Sequence, residues 1–296
     1  MVTELAGVMC ALVTPMDSDG AIDLDGLQRL VERVVRGGVS GVCPVGSTGE
    51  GSRLTERQRR DVVRRVRELV PRDIAVVPSP STQAPDLAAQ DIQAYADLGA
   101  DAVLVAPPTG YLLDGGDVRR FYERLAERSP LPLVMYNFPA LTRVGIPAQA
   151  AGELARHENI IGIKDSSRDL EYAQAVLGAC AGVPDFAVLT GSDTLLLATV
   201  VIGGRGAIAG SANLVPELGV ALYEATTAGD WPRARDLQWR LFEVVSAARA
   251  AGFPYGWKAA LELAGVCAAY PAPPASPVRG EELAALRKRL DELRVL

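Results

Sequence analysis

The chain has 296 residues, 49% apolar and 22% charged, with a formal net charge of −6. Those proportions belong to a folded chain of one large domain or two modest ones, not to a disordered one. The acidic balance argues against a nucleic-acid surface, and a single histidine, His157 in the polar segment Arg156–Asn159, leaves no material for a histidine metal cluster or a Ser-His-Asp triad.

In chain order, short apolar runs alternate with longer amphipathic patterns as far as about residue 213. The runs predict eight strands: Gly7–Thr14, Gly41–Pro44, Ile74–Pro78, Ala102–Ala106, Leu133–Tyr136, Ile160–Lys164, Phe186–Leu189 and Gly206–Ala209. Helical patterns follow, among them Leu24–Arg36, Thr55–Val70, Ala84–Leu98 and Val118–Arg128. Asp23 and Thr55 are expected N-caps, and Gly37-Gly38 and Gly99 are expected stops. The arginine-rich stretch Arg57–Arg67 carries Val62, Val63 and Val66 at helical spacing, so its arginines are expected on a solvated face. Eight β-then-α units predict a TIM (β/α)8 barrel over residues 1–213. A doubly wound open sheet is the competing fold, although no strand is followed by a GxGxxG turn.

After the eighth strand the pattern is helical, in Pro216–Thr227, Trp231–Ala250, Trp257–Ala264 and Glu281–Leu293. Residues 214–296 are expected to form the eighth barrel helix and a C-terminal helical extension of the same structural unit. Cys10, Cys43, Cys180 and Cys267 are far apart in sequence, without a CxxC, and are expected as reduced thiols. With no basic-then-apolar leader and no apolar run near the roughly 20 residues of a membrane span, a cytoplasmic location is expected.

Only three of the thirty basic residues are lysines, and one, Lys164, closes the apolar run Ile160–Ile163. Arginine keeps its proton near neutral pH, whereas a desolvated lysine can become a nucleophilic amine. Lys164 is therefore a candidate Schiff-base former; the alternative is a lysine snorkelling at a strand end or neutralising a carboxylate. In a barrel, residues at the C-terminal ends of the strands meet on one face. Gly46-Ser47-Thr48-Gly49-Glu50 falls there, with backbone N–H groups and two hydroxyls suited to a small carboxylate. So does Tyr136, one strand away from Lys164, whose phenol can carry protons or simply pack at the rim.

These segments also carry a family resemblance. Ala11-Leu12-Val13-Thr14-Pro15, GSTGE at 46–50, YNFP at 136–139, Gly162–Ser167 and Gly203–Ile208 occur in the order found in the dihydrodipicolinate synthase/N-acetylneuraminate lyase family of class I pyruvate-dependent aldolases. The resemblance implies a TIM barrel with a helical extension, no metal or organic cofactor, and a homotetramer built as a dimer of dimers. It implies Lys164 as the Schiff-base lysine, Tyr136 as proton shuttle with Thr48 beside it, and Ser47 and Thr48 as carboxylate-binding hydroxyls. Ile208 would add a main-chain contact, and Ser166 and Asp193 would hold a polar tail. The substrate would be a 2-oxo acid, pyruvate in the first place, with an aldehyde acceptor.

The chain departs from both named subgroups. Leu141 stands where the synthases carry an acceptor-binding arginine, and Arg143 is out of register. Thr194 and Gly210 stand where the sialic-acid lyases carry an acidic residue and a serine. Thr109 replaces a relay tyrosine, with Tyr111 two positions on. The expected activity is thus reversible C–C cleavage or condensation with pyruvate, acceptor open. The alternatives are an imine-forming dehydratase or deaminase of a sugar- or hydroxyproline-derived oxo acid, and a non-catalytic keto-acid-binding protein.

Overall fold

The computed structural model describes residues 5–81, 84–110 and 112–296. Its strands are β1 (Gly7–Ala11), β2 (Gly41–Cys43), β3 (Ala75–Val76), β4 (Val103–Val105), β5 (Leu133–Asn137), β6 (Ile160–Asp165), β7 (Ala187–Thr190) and β8 (Gly206–Ala209). All neighbours are parallel, in the order β3-β2-β1-β8-β7-β6-β5-β4. The pairing of β1 with β8 rules out the open doubly wound sheet, in which the first and last strands do not meet in this way.

The seam between β3 and β4 is joined by two backbone bonds, from Asp101 N–H to Val76 O at 3.0 Å and from Leu104 N–H to Pro78 O at 3.0 Å. Pro78 and Pro80 bring no N–H to this edge, which is why β3 is the shortest strand although Ile74–Pro78 is extended in pattern. The sheet curls into the eight-stranded TIM barrel, and its helices lie outside.

The helices are α1 (Leu24–Arg36), α2 (Glu56–Leu69), α3 (Pro85–Asp97), α4 (Gly115–Ala126), α5 (Pro139–Thr142), α6 (Ala148–Leu154), α7 (Leu170–Ala179), α8 (Leu196–Val201), α9 (Pro216–Thr227), α10 (Trp231–Ala250), α11 (Tyr255–Leu263) and α12 (Gly280–Glu292). Asp23 caps α1 by accepting from Gly26 N–H, and Thr55 opens α2 with a reciprocal capping box to Gln58. Each such cap contributes about 1 kcal/mol. Among the described residues no helix is long and apolar enough to cross a membrane.

Period-two alternation along the strands divides the apolar residues into two cores. Met9, Ala11, Cys43, Val77, Leu104, Val134, Tyr136, Leu189 and Ile208 fill the barrel interior. Val8, Val42, Val103, Ile163 and Val188 face outward against helix residues such as Leu30, Val63, Ile92 and Tyr122.

The arginine-rich helix α2 differs from its expected uniformly solvated face. Arg57 and Arg64 are exposed, but Arg67 is only 6% exposed. Its guanidinium donates to Asp101 Oδ2 at 3.1 Å, Val70 O at 2.6 Å and Pro71 O at 2.7 Å. Asp101 Oδ2 also accepts from Val76 N–H, so Arg67 pins the β3–β4 seam. Arg59 likewise turns inward and pairs with Asp91 at 3.1 Å. The four cysteines are free and buried.

Candidate active site

The C-terminal ends of the strands open into a cavity of about 400 Å³. Of the residues expected to act there, Ser47, Thr109, Tyr136 and Leu141 are on its wall. Lys164, Thr48, Ser166, Asp193 and Ile208 are buried and are not on the wall itself. Tyr111 lies outside the described residues.

Tyr136 and Lys164 are directly paired in the parallel ladder of β5 and β6. Both side chains therefore leave the sheet on the same face, and Lys164 Nζ stands 4.3 Å from the centroid of the Tyr136 ring. Lys164 is 5% exposed, and among the described residues no carboxylate is within ion-pair distance of its nitrogen. The reading of Lys164 as a mere salt-bridge partner therefore has no support. Lys164 on β6 and Ser166 just past its end both lie against Gly191. A Cβ at 191 would meet Ser166 Oγ at 2.0 Å and Lys164 Cε at 2.8 Å, so any larger residue there would push both side chains aside.

Beyond the Tyr136–Lys164 pair, the next rung is Asn137 with Asp165. Asn137 Nδ2 donates to Asp165 Oδ1 at 2.7 Å, and Asn137 Oδ1 accepts from Ile146 N–H at 3.0 Å. Ser167 closes the group, its hydroxyl donating to Asp165 Oδ2 at 2.8 Å and its N–H to Oδ1 at 3.1 Å. Burial pushes the Asp165 carboxyl above its ordinary range, against the three hydrogen bonds from Ser167 and Asn137 that pull it down. Asn137 and Asp165 hold strand ends immediately beside the Tyr136–Lys164 pair. Neither was singled out from the sequence, although both sit inside the segments YNFP and GIKDSS that drew notice.

The Ser47-Thr48 turn follows β2. It is bounded by two non-glycine residues in the left-handed region, Val45 at φ 53° and Glu50 at φ 55°. A β-branched valine in that region is strained and persists only where its surroundings over-determine it. Here Gly51 N–H donates to Gly46 O, Glu50 N–H to Ser47 O, and the Thr14 hydroxyl to Gly49 O at 2.7 Å. Any Cβ at Gly51 would stand 1.7 Å from Val45 O.

Glu50 leaves this turn toward the C-terminal extension. Its Oε1 is 2.6 Å from Lys258 Nζ on α11, and its Oε2 accepts from Ala272 N–H at 2.9 Å. Lys258 has no exposed surface and also donates to Tyr270 O at 2.7 Å. Sequence reasoning passed over Lys258; its signal was there, as one of three lysines and set in the apolar run Trp257–Leu261.

Asp193 is committed within the chain. Its Oδ1 accepts from Ser211 N–H at 2.8 Å and its backbone carbonyl from Gln238 Nε2 at 3.2 Å, fixing the β7 and β8 loops together. Ile208 faces the barrel interior beside Met9. Leu141, on α5 directly after YNFP, is 54% exposed at the rim, whereas Arg143 is exposed and off the cavity wall. His157 lies between α6 and β6 and its Nδ1 accepts from Asn159 N–H, a purely local contact.

Burial raises all four thiols, Cys43 and Cys267 to about 12 and Cys180 to about 11. The Lys164 charge pulls Cys43 and Cys10 down, against the larger effect of burial.

Comparison with known proteins agrees over nearly the whole chain. The profile of the dihydrodipicolinate synthetase family matches residues 4–293. A 4-hydroxy-tetrahydrodipicolinate synthase of Methanopyrus kandleri is 33% identical, with 99% of this chain and 98% of that protein covered. Among solved structures, the dihydrodipicolinate synthase of Bacteroides thetaiotaomicron superposes with a TM-score of 0.93 at 32% identity, covering 97% of this chain and 98% of its own. YagE of E. coli K12, a prophage protein of the dihydrodipicolinic acid synthase family solved in complex with pyruvate, gives a TM-score of 0.94 at 29% identity, with 99% of both chains covered.

Proposed function

This chain belongs to the dihydrodipicolinate synthetase family of pyruvate-dependent lyases and aldolases, and from that premise we propose that it joins or splits C–C bonds through an imine of pyruvate at Lys164. The observation that carries the reading is the β5–β6 rung: a buried amine without a carboxylate partner, 4.3 Å from the ring of a cavity-wall tyrosine.

The Lys164 amine attacks the C2 carbonyl of pyruvate, and water leaves as the imine forms. The protonated imine draws electrons from C3, which gives up a proton and becomes a nucleophilic enamine carbon. Tyr136 carries that proton, with the hydroxyls of Thr48 and Thr109 to pass it on. Ser47 and Thr48 hold the pyruvate carboxylate, their turn fixed by the left-handed residues on either side. The enamine adds to an aldehyde carbonyl, and hydrolysis of the product imine returns the free amine. Every step runs in reverse for cleavage.

Exchange of the pyruvate methyl protons with deuterated solvent tests this without an acceptor. The enzyme should catalyse exchange that Lys164→Arg abolishes; exchange unchanged in that variant refutes the reading.

A further inference from the structure

Among the described residues the cavity wall carries three charged side chains, Glu50, Arg53 and Arg59. Arg59 is neutralised by Asp91, whose two oxygens accept from its Nη2 at 3.3 and 3.1 Å. Glu50 stands between two cations. Its Oε1 is 2.6 Å from Lys258 Nζ, while its Oε2 accepts from Ala272 N–H and is 3.8 Å from Arg53 Nη1. One carboxylate and two cations leave one positive charge over. The side chains of Lys258 and Glu50 are 0% and 2% exposed, whereas that of Arg53 is 40% exposed. The surplus charge therefore reaches solvent at Arg53.

Arg53 is also held in place. Its Nη1 donates to the Tyr255 hydroxyl at 2.5 Å, and its Cζ lies 5.9 Å from the centroid of that ring. A hydroxyl fixes the guanidinium without cancelling its charge. Ser47, earlier in the same loop, is on the same wall. The chain as a whole has a net charge of −6, which repels a small anion. A cation at a concave wall offsets that repulsion locally, because the low-dielectric sides of the cleft focus its field.

Resting on the imine reading above, we propose that Arg53 is the capture residue for the anionic 2-oxo acid. Its charge draws the carboxylate into the cavity and raises the rate of encounter, and it takes no part in the imine chemistry. Tyr255 keeps the guanidinium at the cavity wall.

The test follows pyruvate proton exchange at about 10 mM and about 1 M salt, between which the Debye length falls from about 30 Å to about 3 Å. In the parent, kcat/KM should fall about tenfold across that range. Arg53→Gln should lower the low-salt value about tenfold and abolish the fall with salt, with the loss in KM and not in kcat. Arg53→Lys, which keeps the charge, should restore most of it. Methyl pyruvate has no charge, and its reductive trapping at Lys164 should respond neither to salt nor to Arg53→Gln. A parent rate indifferent to salt, a fall with salt that persists in Arg53→Gln, or an equal loss with methyl pyruvate overturns the capture role alone. Absence of exchange in the parent overturns the imine reading and this role with it.

Discussion

Glu50 and Lys258 form a buried ion pair, 2.6 Å from Oε1 to Nζ, that ties the Ser47-Thr48 turn to helix α11 across 208 positions of sequence. Burial pulls the Lys258 ammonium below its ordinary range, and the Glu50 charge and hydrogen bond push it back. A desolvated pair of this kind contributes little net stability, but breaking it strands a charge in the interior.

Glu50→Gln should therefore cost about 3–5 kcal/mol of stability, measured by urea unfolding, while Glu50→Gln with Lys258→Met should recover most of that loss. Both forms should raise KM for pyruvate about tenfold or more, since the carboxylate turn loses its fixed position. An unchanged KM in the folded double variant would detach the pair from substrate binding.

Tyr136→Phe should still form the imine with pyruvate, because the ring packing against Lys164 and Phe138 is kept. Turnover should fall by about 10²–10⁴-fold, the range for loss of a general acid–base group. Steady-state rates beside single-turnover trapping separate the two effects. Full turnover in the variant would move the proton path to the hydroxyls of Thr48 or Thr109.

Asp165 supplies a pH dependence with a definite sign. Its folded pKa is raised by burial, so between the unfolded and folded values the folded chain binds more protons. Ionised Asp165 thus costs stability as pH rises through that window, and below it the cost vanishes. Asp165→Asn keeps acceptors for Asn137 and Ser167 while removing the charge. The stability difference between variant and parent should grow in the variant's favour from pH 4 to pH 7. A difference that is flat or shrinks with pH contradicts the assignment.

The thiols should be inert in the folded state. Cys43 and Cys267, raised to about 12, carry a thiolate fraction of about 10⁻⁴ at pH 8 and no access for reagent. Iodoacetamide should leave them unmodified until the chain unfolds; rapid labelling of the native protein would mean that the barrel opens locally.

The strands were legible because buried parallel strands are short apolar runs between turn residues, and all eight appear within a few positions of their expected bounds. Where the pattern overran, tertiary contacts explain it. Leu12 to Thr14 are apolar or buried like β1, but past Ala11 the backbone leaves the ladder: Val13 N–H donates to Asn213 Oδ1 and the Thr14 hydroxyl to Gly49 O. Lys164 and Tyr136 were legible for the same reason that strand ends are. The partners of Glu50, Asp101 and Asp193 were not, since each bonds to a residue brought near only by closure of the barrel or folding of the extension. The inward turn of Arg59 and Arg67 was hidden too, because helical spacing alone does not say that a long arginine will bend under its helix.

The most direct measurement is reductive trapping with pyruvate and borohydride, followed by peptide mapping across the three lysines. A single reduced pyruvyl group on the peptide carrying Lys164, absent from those of Lys258 and Lys288 and lost in Lys164→Arg, is the predicted result. No adduct with pyruvate, or an adduct on either other lysine in its place, contradicts the account.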